Sequence, residues 1–213
     1  MTALPRLLLL AGGRSRRMGR DKCALPFPGP RDPPLITWGA RALAEVATPP
    51  LVAGPSDYGT GWTVVDDAPD LPGPAGGLLA GLRAAGSELV LVLAADAPFP
   101  SPRLAQLMTR LARAEPTPQA VIPLRQGRLE PLFGVYRSDG AADLEVAAAQ
   151  PRSGGQGPPL RAILQAVRVR PVLEAEWRPL DPEGFSFINC NTPRELAAAA
   201  ARAVAEIDQG GRL

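Results

Sequence analysis

The sequence predicts a three-layer α/β/α fold of Rossmann-like type, with a mostly parallel sheet and a few added mixed strands. Short apolar runs alternate with longer segments of helical periodicity up to Ala114, which is the pattern of parallel strands joined by helical crossovers. The runs are apolar throughout, as in strands that are covered on both faces. After Gln119 the alternation is less regular, and we expect the mixed strands there. We expect a single domain over residues 1–213.

Each predicted strand is an apolar run, and most of these runs stop at a turn residue. The first run stops at Gly12, the second at Gly54 and the third at Asp66, and glycine and aspartate are typical of turns. The fourth run carries no polar side chain, so we expect it to be the most deeply buried strand. In chain order, the predicted strands are residues 7–11, 51–53, 63–65, 89–94, 120–122, 132–136 and 185–188.

The predicted helices are indicated by helical spacing of apolar residues and by capping residues. Ser101 is a suitable N-cap for the third helix, with Pro102 at the first position, and Thr192 caps the last helix in the same way, with Glu195 at the capping-box position. The predicted helices are residues 35–46, 76–85, 102–114, 139–149 and 160–167, and a last helix that begins at Pro193. Residues 151–159, rich in glycine and proline, predict a loop.

Composition excludes several kinds of active site. The chain has no histidine, so it cannot form a Ser-His-Asp triad, a Cys-His dyad or a histidine-ligated zinc site. Among its 23 lysine and arginine residues, one is a lysine, Lys22. The two cysteines, Cys23 and Cys190, form no C-x-x-C pair, and we interpret Cys23 as a packing residue.

The charge is nearly balanced, with a formal net charge of +2, and aromatic residues make up 5% of the chain. This balance gives no electrostatic basis for nucleic acid or a membrane as the main partner, and few aromatic rings are available to stack on single-stranded bases. The apolar runs are too short for a signal peptide or a membrane span. We therefore expect a soluble, cytoplasmic protein.

Residues able to do chemistry follow four of the predicted strands. Parallel sheets bind ligands at the carboxyl ends of their strands, which is where these residues would lie. The first group is the basic loop at residues 12–22, and the others are Asp67, Asp96 and the pair Asn189 and Asn191.

The loop after the first strand is rich in glycine and positive charge. Residues 10–22 read LAGGRSRRMGRDK, in which the glycines let the backbone approach a ligand and the cations suit a polyphosphate. The spacing fits neither G-x-x-x-x-G-K-[ST] nor G-x-G-x-x-G, so we interpret it as a phosphate loop of another kind, with a solvated basic loop as the alternative. Because arginine is used everywhere else, Lys22 indicates a need for a compact charge.

This loop resembles the signature of the small nucleotidyltransferases, and most closely that of the MobA family of molybdenum cofactor guanylyltransferases. Further blocks are similar in the family order: Asp67 with GPAGG at 73–77, DAP at 96–98, EPL at 130–132, and NCNTP at 189–193. The resemblance spans nearly the whole chain. It implies the nucleotide-diphospho-sugar transferase type of the Rossmann-like fold.

The resemblance implies that the protein transfers GMP from GTP to the phosphate of molybdopterin, or of its molybdenum form, and releases pyrophosphate. GTP and the pterin cofactor would be its partners, with other proteins of cofactor biosynthesis as candidate partners. Such a reaction requires little covalent chemistry from the protein, since positioning and charge neutralisation carry it. That requirement fits a chain without histidine.

The resemblance also assigns roles around the nucleotide. The backbone of Leu10, Ala11 and Gly12 would recognise the guanine base. Gly13, together with the basic loop, would cover the triphosphate. Lys22 would hold the α-phosphate or the leaving pyrophosphate. Arg16 or Arg17 would assist, and we take Arg17 as the catalytic candidate.

Asp96 follows an uncharged strand, so its carboxylate is expected to be partly buried and to need a partner. Mg²⁺ bound to the nucleotide phosphates is the expected partner of this carboxylate, with Mn²⁺ as the alternative ion. The alternative role for Asp96 is that of a turn or helix-cap residue without a metal ion. Asp67 would contact the base or ribose, with a turn role beside Asp66 as the alternative. Gly73 and Gly77 would let the backbone approach the base, with a role in the turn alone as the alternative. Asn189 and Asn191 would bind the pterin or its phosphate, or else shape the start of the last helix.

Two other classes of function remain open. One is a transferase that uses CTP for the same cofactor, or that acts on a sugar phosphate or a terpenoid precursor. The other is a non-catalytic carrier of molybdopterin. The Asp21-Lys22 pair and the N-x-N-T-P block favour guanylyl transfer, and a carrier would need no metal ligand at Asp96.

Overall fold

The structure is a computed structural model and describes residues 3–12, 21–66, 71, 73–149 and 159–208. The strands within these ranges are β1 (Arg6–Leu10), β2 (Thr48–Ala53), β3 (Thr63–Val65), β4 (Leu89–Ala94), β5 (Ala120–Arg125), β6 (Arg128–Leu129), β7 (Phe133–Arg137) and β8 (Val169–Val172). The α-helices are α1 (Leu35–Ala42), α2 (Pro74–Ala84), α3 (Pro102–Ala114), α4 (Ala141–Ala148), α5 (Leu160–Leu164), α6 (Glu174–Trp177) and α7 (Pro193–Asp208). Short 3₁₀ helices lie at Lys22–Ala24, Ser138–Gly140 and Phe185–Phe187.

The strands form one sheet in the order β3-β2-β1-β4-β7-β5, and both β6 and β8 pair with β5. The pairs β3–β2, β2–β1, β1–β4 and β5–β8 are parallel. Strand β7 runs antiparallel between β4 and β5, and β6 is antiparallel to β5. The mostly parallel sheet with mixed strands after Gln119 is therefore confirmed.

Alternate residues of the two central strands face two separate apolar cores. Leu7 and Leu9 of β1 lie in the core that contains residues of α1 and α3, whereas Leu8 lies in the core that contains residues of α2, α4 and α5. This alternation, which β4 repeats at residues 90–93, is what a sheet covered on both faces requires. The α/β/α layers follow from it.

A third apolar cluster fixes the last helix. Cys190, Ala199 and Ala203 pack with Phe27 and Trp38, so α7 lies against α1 and its preceding loop. Residues 189–192 are thereby brought back to the sheet, although they are far from β1 and β4 in sequence. The last helix begins at Pro193, as the capping pattern predicts.

The prediction of a strand at residues 185–188 was wrong. Residues 185–187 form a 3₁₀ helix because the Asp181 carboxylate accepts hydrogen bonds from the backbone N–H groups of Phe185 and Ser186, each at 3.0 Å. Gly184 precedes the turn with φ of 69°, a left-handed conformation that favours glycine. The N–H groups that a strand would have paired with a neighbour are thus bound locally.

Other boundaries differ in smaller ways. Helix α1 ends at Ala42 rather than at residue 46, and i→i+3 turns follow it. Pro49 and Pro50 lie inside β2, where its register with β1 shifts, because a bulge tolerates residues that cannot donate to the ladder. Strand β8 was not predicted, since Arg170 and Pro171 interrupt its apolar residues.

Candidate functional site

A cavity of about 150 Å³ opens at the carboxyl ends of β1 and β4. Seven residues selected from the sequence line it: Leu10, Ala11, Gly12, Lys22, Asp96, Asn189 and Asn191. The parallel pairing of β1 with β4 places the ends of both strands at one edge of the sheet, which explains why residues after each strand meet there.

Lys22 is the centre of the polar contacts in this cavity. Its Nζ forms an ion pair with Asp96 Oδ2 and donates a hydrogen bond of 2.8 Å to Asn191 Oδ1. The side chains of Lys22 and Asp96 are 16% and 11% exposed, so the pair is largely withdrawn from water. The fold therefore joins three residues that were selected separately along the chain.

Backbone hydrogen bonds hold Asp96 in place. Its carbonyl accepts a hydrogen bond of 3.0 Å from Cys190 N, and the preceding Ala95 N donates to Leu10 O at 3.1 Å. Helix α1 also comes close, because a Cβ on Gly39 would lie 2.5 Å from the Ala97 carbonyl oxygen. Glycine at position 39 thus lets α1 pack directly beneath the turn that carries the carboxylate.

A separate chain of hydrogen bonds supports Lys22. Asp21 caps the 3₁₀ helix Lys22–Ala24 by accepting from Cys23 N at 3.0 Å, and its other oxygen accepts from the Tyr58 hydroxyl at 2.9 Å. Sequence reasoning missed Tyr58. The signal was the turn motif around it, in which Asp57 accepts hydrogen bonds from the N–H groups of Gly59 and Gly61 as aspartate-containing turns do.

The start of α7 shows one of the two roles considered for the asparagines, since the backbone of Asn191 takes part in the helix cap. Thr192 Oγ1 accepts from Glu195 N at 3.2 Å, and Glu195 Oε2 accepts from Asn191 N at 2.8 Å. This capping arrangement, chiefly through the Asn191 N–H, lowers the pKa of Glu195. Because the cap uses only the backbone of Asn191, its side chain is available to Lys22, and Asn189 lines the cavity beside it.

Both cysteines are buried near the site. Burial, with Asp21 adding to it, raises the pKa of the Cys23 thiol, and burial likewise raises that of Cys190. A thiol with a raised pKa is a poor nucleophile at neutral pH. This agrees with a packing role for Cys23.

Glycines shape the backbone around the cavity. Gly73, directly before α2, has φ of 86° and ψ of −159°, a combination that is essentially restricted to glycine. Its carbonyl accepts from the N–H groups of Gly76 and Gly77 at 3.1 and 3.4 Å. A Cβ on Gly54 would lie 2.8 Å from the Ala11 Cβ, so the absence of a side chain after β2 lets the two strand ends pack together.

Some predicted residues lie outside the described residues: Gly13, Arg14, Arg16, Arg17, Arg20 and Asp67. The predicted loop at 151–159 also lies outside them, apart from residue 159. Their predicted roles stay predictions.

The groups around Asp96 determine whether the site could hold a divalent cation. In the described part of the chain, no group of three or more His, Cys, Asp or Glu residues could hold a metal ion. Within the same part of the chain, Lys22 is the hydrogen-bond partner of the Asp96 carboxylate, on Oδ2, which leaves Oδ1 available. A single carboxylate fits Mg²⁺, which commonly binds one or two carboxylates and completes its shell with water and substrate phosphates.

Solved structures with the same fold include nucleotidyltransferases. A molybdopterin-guanine dinucleotide biosynthesis protein A from Archaeoglobus fulgidus matches with a TM-score of 0.76 and 24% identity, covering 94% of this chain and 99% of that one. A 2-C-methyl-D-erythritol 4-phosphate cytidylyltransferase from Thermus thermophilus matches with a TM-score of 0.60 and 20% identity, covering 95% and 100%. The fold is thus that of the small nucleotidyltransferases, which confirms the predicted fold class.

Sequence comparison identifies the family within the nucleotidyltransferases. The family model described as "MobA-like NTP transferase domain" matches residues 7–172. A probable molybdenum cofactor guanylyltransferase of Chloroflexus aggregans is 34% identical over 208 residues, covering 89% of this chain and 90% of the relative. A molybdenum cofactor guanylyltransferase of Desulfosudis oleivorans is 32% identical over 198 residues, covering 91% and 93%. The chain belongs to the MobA-like NTP transferase family.

A helix that crosses a bilayer needs about 20 mostly apolar residues. Among the helices in the described part of the chain, none is long and apolar enough to do so.

Proposed function

We propose that the protein transfers GMP from GTP to the terminal phosphate of molybdopterin, or of the molybdenum cofactor. The proposal is carried by relatives that are 32% and 34% identical over about nine tenths of both chains and bear the name of that activity. The cavity at the strand ends supports it, because it places a cation, a carboxylate and an amide together.

In this reaction an oxygen of the acceptor phosphate attacks the α-phosphorus of GTP. One P–O bond forms, and the bond from the α-phosphorus to the oxygen that bridges to the β-phosphorus breaks. Pyrophosphate leaves with that electron pair. All reacting groups are negatively charged, so the protein must above all bring them together and offset their charge.

The described residues divide this work. Lys22 Nζ would neutralise charge at the α-phosphate or on the leaving pyrophosphate, and Asn191, which already binds Lys22 through Oδ1, would hold it in position. The backbone at residues 10–12 would bind the base, while Asn189 would bind the acceptor. Arg17, Gly13 and Asp67 keep the roles assigned from the resemblance.

A divalent cation is part of the proposal. Asp96 would hold Mg²⁺, with Mn²⁺ as the alternative, through the carboxylate oxygen that Lys22 does not use. When bound, the ion would supply charge neutralisation at the nucleotide phosphates. The carboxylate also holds Lys22, so Asp96 would link the two positive charges of the site.

Gly73→Ala is expected to weaken nucleotide binding and to lower the free energy of unfolding by about 1–3 kcal/mol. An alanine at φ of 86° and ψ of −159° is strained although nothing lies within 4 Å of its Cβ. Relief of that strain would move the start of α2, and Pro74 of that helix lines the cavity. The measurement is the KM for GTP together with the denaturation midpoint.

Gly86→Ala is the matched control for that variant. Gly86 also has positive φ, 58°, with open space around its Cβ, but it lies in the turn before β4 at the opposite end of the strand from Asp96. It should lose stability with an unchanged KM for GTP. If both variants keep the KM of the wild-type protein, the turn at residue 73 has no part in nucleotide binding.

The proposed function is tested by supplying GTP, CTP, UTP and ATP separately with molybdopterin and Mg²⁺. We expect pyrophosphate release with GTP and a guanine dinucleotide product. Release with CTP alone would contradict the guanylyl assignment and favour a cytidylyltransferase. Binding of molybdopterin without release from any nucleotide would favour a carrier. The cytoplasmic location and the further protein partners stay predictions.

A further inference from the structure

A second cavity, of about 300 Å³, adjoins the site described above. The two cavities share three lining residues, Pro74, Leu132 and Asn189. A ligand in the second cavity would therefore have a short route to Lys22 and Asp96. The volume is at the lower end of the range for pockets that bind small molecules.

Apolar residues form much of the wall of this second cavity. Phe187 and Phe133 both line it and meet edge to face, with ring centroids 6.4 Å apart at 62°. Phe187 is held further by Trp177, at 5.0 Å and 78°, and by the Arg125 guanidinium, 5.6 Å from its centroid. A ring with three neighbours keeps one orientation, so it offers a fixed apolar surface to a flat ligand.

The polar side of the cavity is formed by Glu130 and Arg161. Arg161 Nη2 lies 3.4 Å from Glu130 Oε2, and Arg161 Nε donates to the Leu129 carbonyl at 2.9 Å. Partial burial raises the pKa of Glu130, while Arg161 and Arg125 act in the opposite direction. In the described part of the chain, Arg161 is the hydrogen-bond partner of the carboxylate, on Oε2, so Oε1 is left to accept from a ligand.

The backbone on either side keeps Glu130 in place. Glu130 N donates to the Pro123 carbonyl at 2.9 Å, and the Glu130 carbonyl accepts from Phe133 N at 3.2 Å. The carboxylate therefore projects from a fixed turn between β6 and β7. The second cavity thus combines flat apolar walls with one positioned anionic acceptor.

We propose that this second cavity holds the fused ring of the pterin acceptor, and that Glu130 selects it by accepting hydrogen bonds from its amino and ring N–H groups. The proposal rests on the proposed function, because it assigns the acceptor of that reaction to a place in the structure. A pterin presents a ring N–H beside an exocyclic NH₂, and a carboxylate is the acceptor-only group that matches two adjacent donors. Asn189, shared by both cavities, lies where the acceptor would extend towards Lys22.

If Glu130 accepts hydrogen bonds from the pterin, the second cavity should bind a pterin more tightly than a lumazine. A lumazine differs from a pterin in carrying a carbonyl oxygen in place of the exocyclic NH₂, so it would set an acceptor against the Glu130 carboxylate. Glutamine at position 130 would reverse this, because its amide donates one hydrogen bond and accepts another and so matches the lumazine edge. Glu130→Gln should therefore change the preference between the two rings rather than weaken all binding equally.

The experiment measures the binding of 6-hydroxymethylpterin monophosphate and 6-hydroxymethyllumazine monophosphate to the full chain by calorimetry. We expect the wild-type protein to prefer the pterin by at least about tenfold, and Glu130→Gln to abolish or reverse that preference. Glu130→Asp should keep the direction of the preference because it keeps the charge. The same preference in wild type and Glu130→Gln, or no binding of the pterin phosphate to the wild type, would overturn the proposal.

Glu145→Gln is the matched control. Glu145 also forms an ion pair with an arginine, Arg83, but on the surface of α4 and α2, and its variant should retain the wild-type preference. Pyrophosphate release from GTP with molybdopterin is measured in parallel. Failure of that release with an intact pterin preference would count against the proposed function alone, whereas normal release with an unchanged preference in Glu130→Gln would count against Glu130 alone.

Discussion

Replacing Asp96 by asparagine is expected to lower the rate of pyrophosphate release by about 10³-fold or more, with the fold retained. Asparagine has nearly the same volume, and its Oδ1 can still accept the hydrogen bond from Lys22 that Asp96 Oδ2 accepts now. It lacks the negative charge that would hold a divalent cation and complement the ammonium group. The measurement is release from GTP with molybdopterin at several Mg²⁺ and Mn²⁺ concentrations, alongside the thermal midpoint.

The matched control for this variant is Asp143→Asn. Asp143 lies in the first turn of α4, where it accepts a hydrogen bond of 2.8 Å from Gln119 Nε2, and its variant should turn over at the wild-type rate. Excess metal should not restore the Asp96→Asn enzyme. Turnover of Asp96→Asn within a few-fold of wild type would remove Asp96 from the mechanism.

The second large effect is expected for Lys22→Arg, which keeps the charge but should lower kcat by about 10²-fold or more. The ammonium group is largely buried and is bound by Asp96 on one side and by Asn191, at 2.8 Å, on the other. A guanidinium is planar and wider, so it would displace one of these partners or move the 3₁₀ helix Lys22–Ala24. Single-turnover rates with saturating GTP separate this loss from weaker nucleotide binding.

The reciprocal exchange, Arg83→Lys, provides the control for Lys22→Arg. Arg83 pairs with Glu145 on the surface, where both side chains are about half exposed, and such exposed pairs contribute little to stability. Its variant should behave as wild type. Near-normal turnover by Lys22→Arg would instead mean that the lone lysine reflects codon usage and not a requirement of the site.

The central strands could be predicted because their signal is local. An uninterrupted apolar run of this length, such as residues 89–94, is typical of a strand that is covered on both faces. Strand β4 has those same bounds. The 3₁₀ helix at residues 185–187 was missed for the opposite reason. Its conformation depends on hydrogen bonds from Asp181, and four apolar or small residues alone do not distinguish a strand from a capped turn.

The same contrast holds at the site. Lys22 and Asp96 could be selected because each follows an apolar run, where ligands of parallel sheets bind. Tyr58 was missed because the aspartate-containing turn around it marks a turn but does not identify Asp21, 37 residues away, as the partner of its hydroxyl. Glu130 was noticed only as part of a resembling block, because its role depends on a cavity that β7, α5 and the 3₁₀ helix Phe185–Phe187 enclose together.

The amino-acid sequence by itself determined the layered α/β class, the positions of the main strands and the residues that follow them, since periodicity, capping and strand-end chemistry are properties of short segments. Only the tertiary structure decided that Lys22 meets Asp96, 74 positions away, and Asn191, 169 positions away. It also decided that a second cavity with one anionic side chain lies beside them. The physical reason is that such meetings depend on strand order and on how the last helix packs, and both are set by the burial of apolar surface across the whole chain.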